Sequence, residues 1–263
     1  MGLDGKTALV TGASRGIGNA IARVLARHGA RVAVFDIRDE VERTADAIRD
    51  EGGTVSWHRV DIADRDQVAE AVQAAEAALG PADALVNNAG LVKNIAPLAE
   101  MSAEAWQREL DVNLTGAFHM VQALVEGMAT RGWGRIVNIS SAAARGGLYR
   151  QVGYASTKAG LLGLTHNVTV EYAHRGVTCN AILPGLIATE NVRAMPREIF
   201  DEAVAQAPAG RPGEPEEVGE LVAFLCSDAA AYINGVEIPF DGGAAMNSVV
   251  LGSRKAVREK GHG

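Results

Sequence analysis

The chain has 263 residues, 48% hydrophobic and 22% charged, with a formal net charge of −7. This is ordinary globular composition. It excludes a disordered or fibrous chain and allows a full core without disulfides or metal. The acidic balance argues against a nucleic-acid partner, which calls for a basic face.

Two cysteines, Cys179 and Cys226, stand far apart with no CxxC spacing. A disulfide framework is therefore not expected, and a reducing, cytoplasmic setting fits. The histidines at 28, 58, 119, 166, 174 and 262 form no HxH or HxxxH pair, so no metal site is expected. The opening MGLDGKTALV carries an acid at Asp4 and lacks the apolar stretch of a signal peptide. No apolar run approaches the ~18 residues that span a bilayer, so no membrane partner is expected.

In chain order, residues 6–10 (KTALV) read as a first strand, followed by a glycine-rich turn and a helix over about 17–28. Residues 31–36 (RVAVFD) read as a second strand and 54–61 (TVSWHRVD) as a third. Asp64, with Gln67 three residues on, reads as a capping box that opens a helix. Residues 84–87 form a fourth strand, and Ser102 caps a long helix running to about Thr130. A fifth strand (135–140), a helix (154–174), a sixth strand (177–182), a helix (216–227) and a seventh strand (236–240) complete the series. This alternation predicts an α/β chain: one Rossmann-type doubly wound domain over 1–248, a seven-stranded parallel sheet with helices on both faces. Residues 186–212 break the rhythm. Five of the eight prolines fall between Pro184 and Pro215, which reads as a lid. Residues 249–263 read as a polar, locally basic C-terminal tail.

Between the first strand and helix lies TGASRGIG, with Gly12, Gly16 and Gly18. Without Cβ atoms the backbone turns tightly and approaches a pyrophosphate, and the helix N-terminus supplies free N–H groups and a positive dipole end. Asp36 ends the second strand, where its carboxylate can accept from ribose hydroxyls and repel a 2′-phosphate, favouring NAD over NADP. Arg15 and Arg38 pull the other way. Tyr154 and Lys158 are spaced i, i+4 on one helix face, and Ser141 follows the fifth strand at its carboxyl end, where ligands bind in open α/β sheets.

TGASRGIG (11–18), Asp36, Asp61–Ile62, NNAG (87–90), Asn113, Ser141, YASTK (154–158), PGLIAT (184–189) and DGG (241–243) stand in one order over residues 3–246. In this the chain resembles the short-chain dehydrogenase/reductase family. The resemblance implies a hydride transfer between a nicotinamide and a carbinol or carbonyl carbon, with Tyr154 as acid/base. Lys158 would stabilise the phenolate and hold the nicotinamide ribose. Ser141, thirteen residues before the tyrosine, would fix the substrate oxygen, with Ser140 the adjacent alternative. Asn113 would hold a water linking Lys158 to solvent. Gly12, Ser14, Arg15, Gly16, Ile17 and Gly18 would cradle the dinucleotide. Asp61 and Ile62 would contact adenine, and Asn88 and Gly90 the adenosine ribose. Pro184, Ile187 and Thr189 would hold the carboxamide.

Substrate would sit among 92–95, 148–152 and the lid, with Arg150 and Gln151 near Tyr154 either binding a polar group or facing solvent. The resemblance also implies a homotetramer. Three functions compete. The first is an NAD-dependent dehydrogenase of a secondary alcohol. The second is an NADPH-dependent 3-oxoacyl-[acyl-carrier-protein] reductase, docking its acidic carrier on Arg131, Arg135 and Arg175. The third is a nucleotide-binding sensor without chemistry, which the intact Ser141, Tyr154 and Lys158 argue against.

Overall fold

The computed structural model describes residues 2–246. The expected tail, 249–263, and the domain limit at 248 lie outside the described residues. Seven parallel strands form one sheet: β1 (Thr7–Thr11), β2 (Arg31–Asp36), β3 (Val55–Arg59), β4 (Ala84–Asn87), β5 (Gly134–Ile139), β6 (Val177–Pro184) and β7 (Glu237–Phe240). Their spatial order is β3-β2-β1-β4-β5-β6-β7. The chain reverses direction across the sheet between β1 and β4, and that reversal opens a crevice at the carboxyl ends of these two strands.

Alternate residues of each strand serve opposite layers. Ala8 and Val10 of β1, with Val32 and Val34 of β2, join one core. There they pack against α1 (Gly16–Arg27), α2 (Val41–Asp50) and, through Val218 and Val222, a helix specified below. Leu9, Ala33 and Phe35 face the other core. It is filled by Val68, Val72 and Ala75 of α3 (Arg65–Leu79) and by Met120, Leu124 and Met128. Burial on both faces is why the strands read as unbroken apolar runs.

Ser102 caps α4 (Ala103–Leu110), its Oγ accepting from the Ala105 N–H at 3.1 Å. The helix does not run on regularly. Asp111–Thr115 form a π turn, and α5 (Gly116–Arg131) follows. Then come α6 (Ala143–Gly146) and α7 (Val152–Tyr172). The lid contains two helices that the sequence pattern left unread, α8 (Glu190–Arg193) and α9 (Arg197–Gln206). It is rooted at both ends: Ala188 donates to the Gly213 carbonyl at 2.8 Å and Gly213 to that of Leu186 at 2.9 Å. The last helix, α10 (Pro215–Leu225), carries Val218 and Val222.

Two local expectations are corrected. Asp64 does cap α3, accepting from Asp66 and Gln67 N–H groups at 3.0 and 3.2 Å. Gln67, however, returns to the N–H of Asp61 at 3.1 Å, not to that of Asp64, so no reciprocal box closes. The three arginines expected to make a basic docking surface are engaged elsewhere. Arg175 is paired with Glu126 through both guanidinium nitrogens, at 2.9 and 2.7 Å. Arg131 donates to the Ala82 carbonyl. Arg135 is buried in β5, its guanidinium 4.2 Å from the Trp133 ring.

Candidate active site

The crevice between β1 and β4 is closed at its base by one side chain. Asn88 donates Nδ2–H to the carbonyls of Thr11 (2.9 Å) and Gly12 (3.1 Å), while Thr11 Oγ1 accepts from the N–H groups of Asn88 and Ala89, both at 3.0 Å. Asn88, expected to line the adenosine ribose, lines the cleft and also braces it: its amide protons serve the loop backbone. This brace needs Gly18. A Cβ there would stand 2.3 Å from the Gly12 oxygen and 2.4 Å from Asn88 Nδ2. Gly12 has φ +66°, and a Cβ on it would meet Ala89 Cα at 2.7 Å. The loop is therefore drawn flat against the head of α1, whose first N–H groups have no partners within the helix.

Above it lies a cleft of about 370 Å³ whose lining includes Gly12, Ser14, Arg15, Gly16, Ile17, Gly18, Asp36, Arg38, Asp61, Ile62, Asn88, Gly90 and Thr189. The Asp36 carboxylate is held in a fixed pose. Oδ2 accepts from the Ser14 backbone N–H (3.0 Å) and hydroxyl (2.7 Å), and Oδ1 from the Arg38 N–H (3.1 Å). Asp61 accepts an N–H of Ala63 at 3.0 Å and pairs with Arg108 of α4 at 3.1 Å. A turn with glycine at 12, 16 and 18, a carboxylate at the end of β2 and an acid beside an apolar Ile62 fit an adenine dinucleotide.

Next to Gly90 of the cleft wall, though not themselves lining that cleft, Ser141, Tyr154 and Lys158 come together where β5 ends and α7 begins. Ser140 is committed to structure, its hydroxyl donating to the Lys158 carbonyl at 2.7 Å. Ser141 Oγ accepts from the Ala143 N–H at 3.1 Å, and its hydroxyl reaches Tyr154, holding the phenol's pKa down. Burial acts more strongly and in the opposite sense, so in the protein alone the Tyr154 pKa lies above the ordinary phenol value.

Lys158 Nζ lies 5.6 Å from the centre of the Tyr154 ring and donates to the Ile139 carbonyl at 2.8 Å. Burial pushes its pKa down to about 8. Gly90 leaves room for it: a Cβ there would stand 3.3 Å from Nζ and 3.4 Å from Asn113 Oδ1. Asn113, carried inward by the π turn, accepts from Leu91 N–H (2.6 Å) and donates to the Leu91 carbonyl (2.9 Å) and Thr157 Oγ1 (3.1 Å). Its side chain braces the segment after β4.

Of the residues expected on the carboxamide side, Thr189 lines the cleft and faces Gly16, whose Cβ would be 3.4 Å from Thr189 Cγ2. Ile187 is buried and bridges to Gly213. Pro184 closes β6, its carbonyl accepting from Ala142 N–H at 2.9 Å. Arg150 is the one described non-glycine residue with a left-handed backbone, φ +61°. Sequence reasoning missed Glu109, a carboxyl buried beneath the first turn of α7. Its position in a polar helix segment reads as surface. Among the described residues, no group of three or more His, Cys, Asp or Glu side chains could hold a metal, and no helix is long and apolar enough to cross a membrane.

A family model described as "Enoyl-(Acyl carrier protein) reductase" matches residues 12–245. The cis-4-hydroxycyclohexanecarboxylate dehydrogenase of Sinomonas cyclohexanicum is 40% identical, over 90% of this chain and 96% of that protein. The acetoacetyl-CoA reductase of Rhizobium meliloti is 45% identical, over 90% and 98%. The chain belongs to the short-chain dehydrogenase/reductase family. Among solved structures, a candidate NAD(P)-dependent gluconate 5-dehydrogenase from Beutenbergia cavernae, with NADP bound at low occupancy, superposes with a TM-score of 0.87. It is 40% identical, over 92% of this chain and 98% of that one.

Proposed function

We propose that this chain is an NAD-dependent dehydrogenase that interconverts a secondary alcohol and a ketone. Its membership makes it an oxidoreductase of hydroxyl or keto groups with a nicotinamide cofactor. The observation that carries the finer reading is the juxtaposition of Ser141, Tyr154 and Lys158, with Lys158 next to Gly90 of the cleft.

The bound dinucleotide supplies the hydride acceptor or donor. Tyr154 takes the proton from the alcohol oxygen, or returns it to the ketone. Burial opposes an isolated phenolate, so Tyr154 ionises only where positive charge is close, and the Lys158 ammonium supplies it from the same helix face. Ser141, left unburdened by the structural bond that Ser140 takes, turns its hydroxyl from Tyr154 to the reacting oxygen and orients it. Gly12, Ser14, Gly16, Ile17 and Gly18 hold the diphosphate, and Asp61 with Ile62 the adenine. Gly90, with Asn88, lines the adenosine ribose, and Lys158, Pro184, Ile187 and Thr189 flank the nicotinamide end. Asn113 and Asn88 act by fixing the loops around them.

The preference for NAD rests on Asp36, whose fixed carboxylate suits ribose hydroxyls and repels a 2′-phosphate. A second reading, an NADPH-dependent reductase of 3-oxoacyl thioesters, is favoured by Arg15 and Arg38, which line the cleft on either side of that carboxylate. The loss of the expected basic docking surface weighs against its carrier-protein form. A homotetramer in the cytoplasm completes the proposal, with exposed Phe118 of α5 and Val170 of α7 as apolar contacts between subunits.

The test is a panel of secondary alcohols and ketones with NAD(H) and NADP(H), followed by nicotinamide fluorescence, for the wild type and Tyr154→Phe. Turnover with NAD that vanishes in Tyr154→Phe, at unchanged NADH affinity, is expected. Turnover that survives the substitution overturns the acid/base role.

A further inference from the structure

We propose that Glu109 is a positioning residue for the proton-transferring tyrosine: a buried carboxyl that locks the first turn of α7, and with it Tyr154, to the segment 91–97 beside the substrate. The proposal rests on the reading of Tyr154 given above. Glu109 is the penultimate residue of α4 and only 1% exposed. Its Oε2 is enclosed yet has no hydrogen-bond partner. That oxygen lies 2.2 Å from where a Cβ on Gly153 would stand, so position 153 admits only glycine while Glu109 keeps its place.

Burial pushes the Glu109 pKa up, and the nearby backbone N–H of Tyr154 and the backbone N–H and side chain of Asn94 work against it, although none of them bonds Oε2. Tyr154 is the third residue of α7, where helical N–H groups lack partners in their own helix and attract negative charge. Asn94 is itself tied to α4, its Nδ2 donating to the Ala105 carbonyl at 3.2 Å. Two residues on, Ala96 N–H donates to the carbonyl of the left-handed Arg150 at 2.9 Å. Glu109 is thus the point at which α4, the 94–96 segment and the tyrosine-bearing turn meet. An apolar side chain would fill the same space without the cost of burying a carboxyl. What it would not supply is an acceptor for the N–H groups on both sides of the catalytic pocket.

The test compares Glu109→Ala, Glu109→Gln and the double variant Glu109→Ala/Gly153→Ala with the wild type. The probes are cyclohexanol, or the best alcohol of the panel above, for kcat and KM; NADH fluorescence for cofactor binding; and thermal melting for stability. In Glu109→Ala, kcat falls by roughly tenfold to a hundredfold, the range for a slightly misplaced reacting group, while NADH affinity and KM hold. Glu109→Gln, which keeps the volume and a carbonyl acceptor, restores most of kcat. In the double variant the methyl added at position 153 enters the space the carboxyl has left, so melting temperature recovers above that of Glu109→Ala while kcat does not. Wild-type kcat in Glu109→Ala, or kcat rising with melting temperature in the double variant, would reduce Glu109 to packing and overturn the proposal. Turnover surviving Tyr154→Phe would instead sink the underlying reading, so the two failures are distinguishable.

Discussion

Replacing Lys158 by methionine should make the protein more stable at neutral pH while ending turnover. Lys158 is 4% exposed, and its ammonium donates to the Ile139 carbonyl. Burial lowers its pKa from the ordinary 10.5 to about 8. That difference of about 2.5 corresponds to about 3 kcal/mol against the charged form. Below pH 8 the lysine is protonated in both native and unfolded chains, and the full cost falls on the native one. Between pH 8 and 10.5 the native lysine is neutral while the unfolded one still holds its proton. Wild-type stability from this group therefore rises with pH across that window.

Methionine carries no charge and fills a similar volume, but it leaves the Ile139 carbonyl without its donor, at a cost of about 1–2 kcal/mol. The net gain at pH 7 is about 1–2 kcal/mol, which for a chain of this size raises the melting temperature by roughly 2–8 °C. Urea unfolding of both proteins at pH 7 and 9.5 measures it, and the advantage of the variant should shrink at the higher pH. A variant less stable than wild type at pH 7, or an advantage that grows with pH, would refute the reasoning. A gain in stability together with lost turnover is what the proposed role of the Lys158 ammonium predicts.

Asp36→Ala should weaken NAD binding by about 10- to 100-fold, the worth of a hydrogen bond to a charged group, and leave NADP affinity level or improved. Titration calorimetry with each cofactor decides it, and equal losses for both would count against a ribose contact. Gly18→Ala drives a methyl to 2.3 Å from the Gly12 oxygen and 2.4 Å from Asn88 Nδ2. It should cost about 1–3 kcal/mol in urea unfolding and lower NADH affinity as well. An unchanged unfolding midpoint would mean that the Asn88 brace is not rigid.

The seven strands were legible because a parallel strand covered on both faces must be apolar along its length, and β4, β5 and β6 are buried throughout. The helices that escaped notice are short: α2 has a regular inner stripe, but it is narrow and lies in a strongly charged stretch. α2 buries only Val41, Thr44, Ala45 and Ile48 and has no side-chain cap, and α9 buries nothing. At the site, the motifs were readable as motifs, but the direction each side chain takes was not. Asn88 turns its amide onto the backbone of the neighbouring strand's loop, a partner 77 residues away in the chain. Arg135 looks like surface charge, yet it lies buried on β5, and the adjacent Trp133 ring holds Lys6 Nζ at 3.6 Å as well. Long-range register decides such partners, and local pattern does not contain it.

The π turn at Asp111–Thr115 reconciles demands that one straight helix could not meet. Each residue of a regular helix advances about 100° around the axis, so the extra residue of a π turn rotates everything beyond it by about that amount. Before the turn, Glu109 must face the start of α7. At the turn, Asn113 must reach Leu91 and Thr157. Beyond it, Met120, Leu124 and Met128 must face the sheet. The inward amide of Asn113, bonded at both ends, offsets the irregular backbone it sits in. A single-residue deletion in 111–115 would force a choice. Either α5 keeps its core contacts and Glu109 swings from beneath α7, or the site keeps its braces and the core of α5 is exposed.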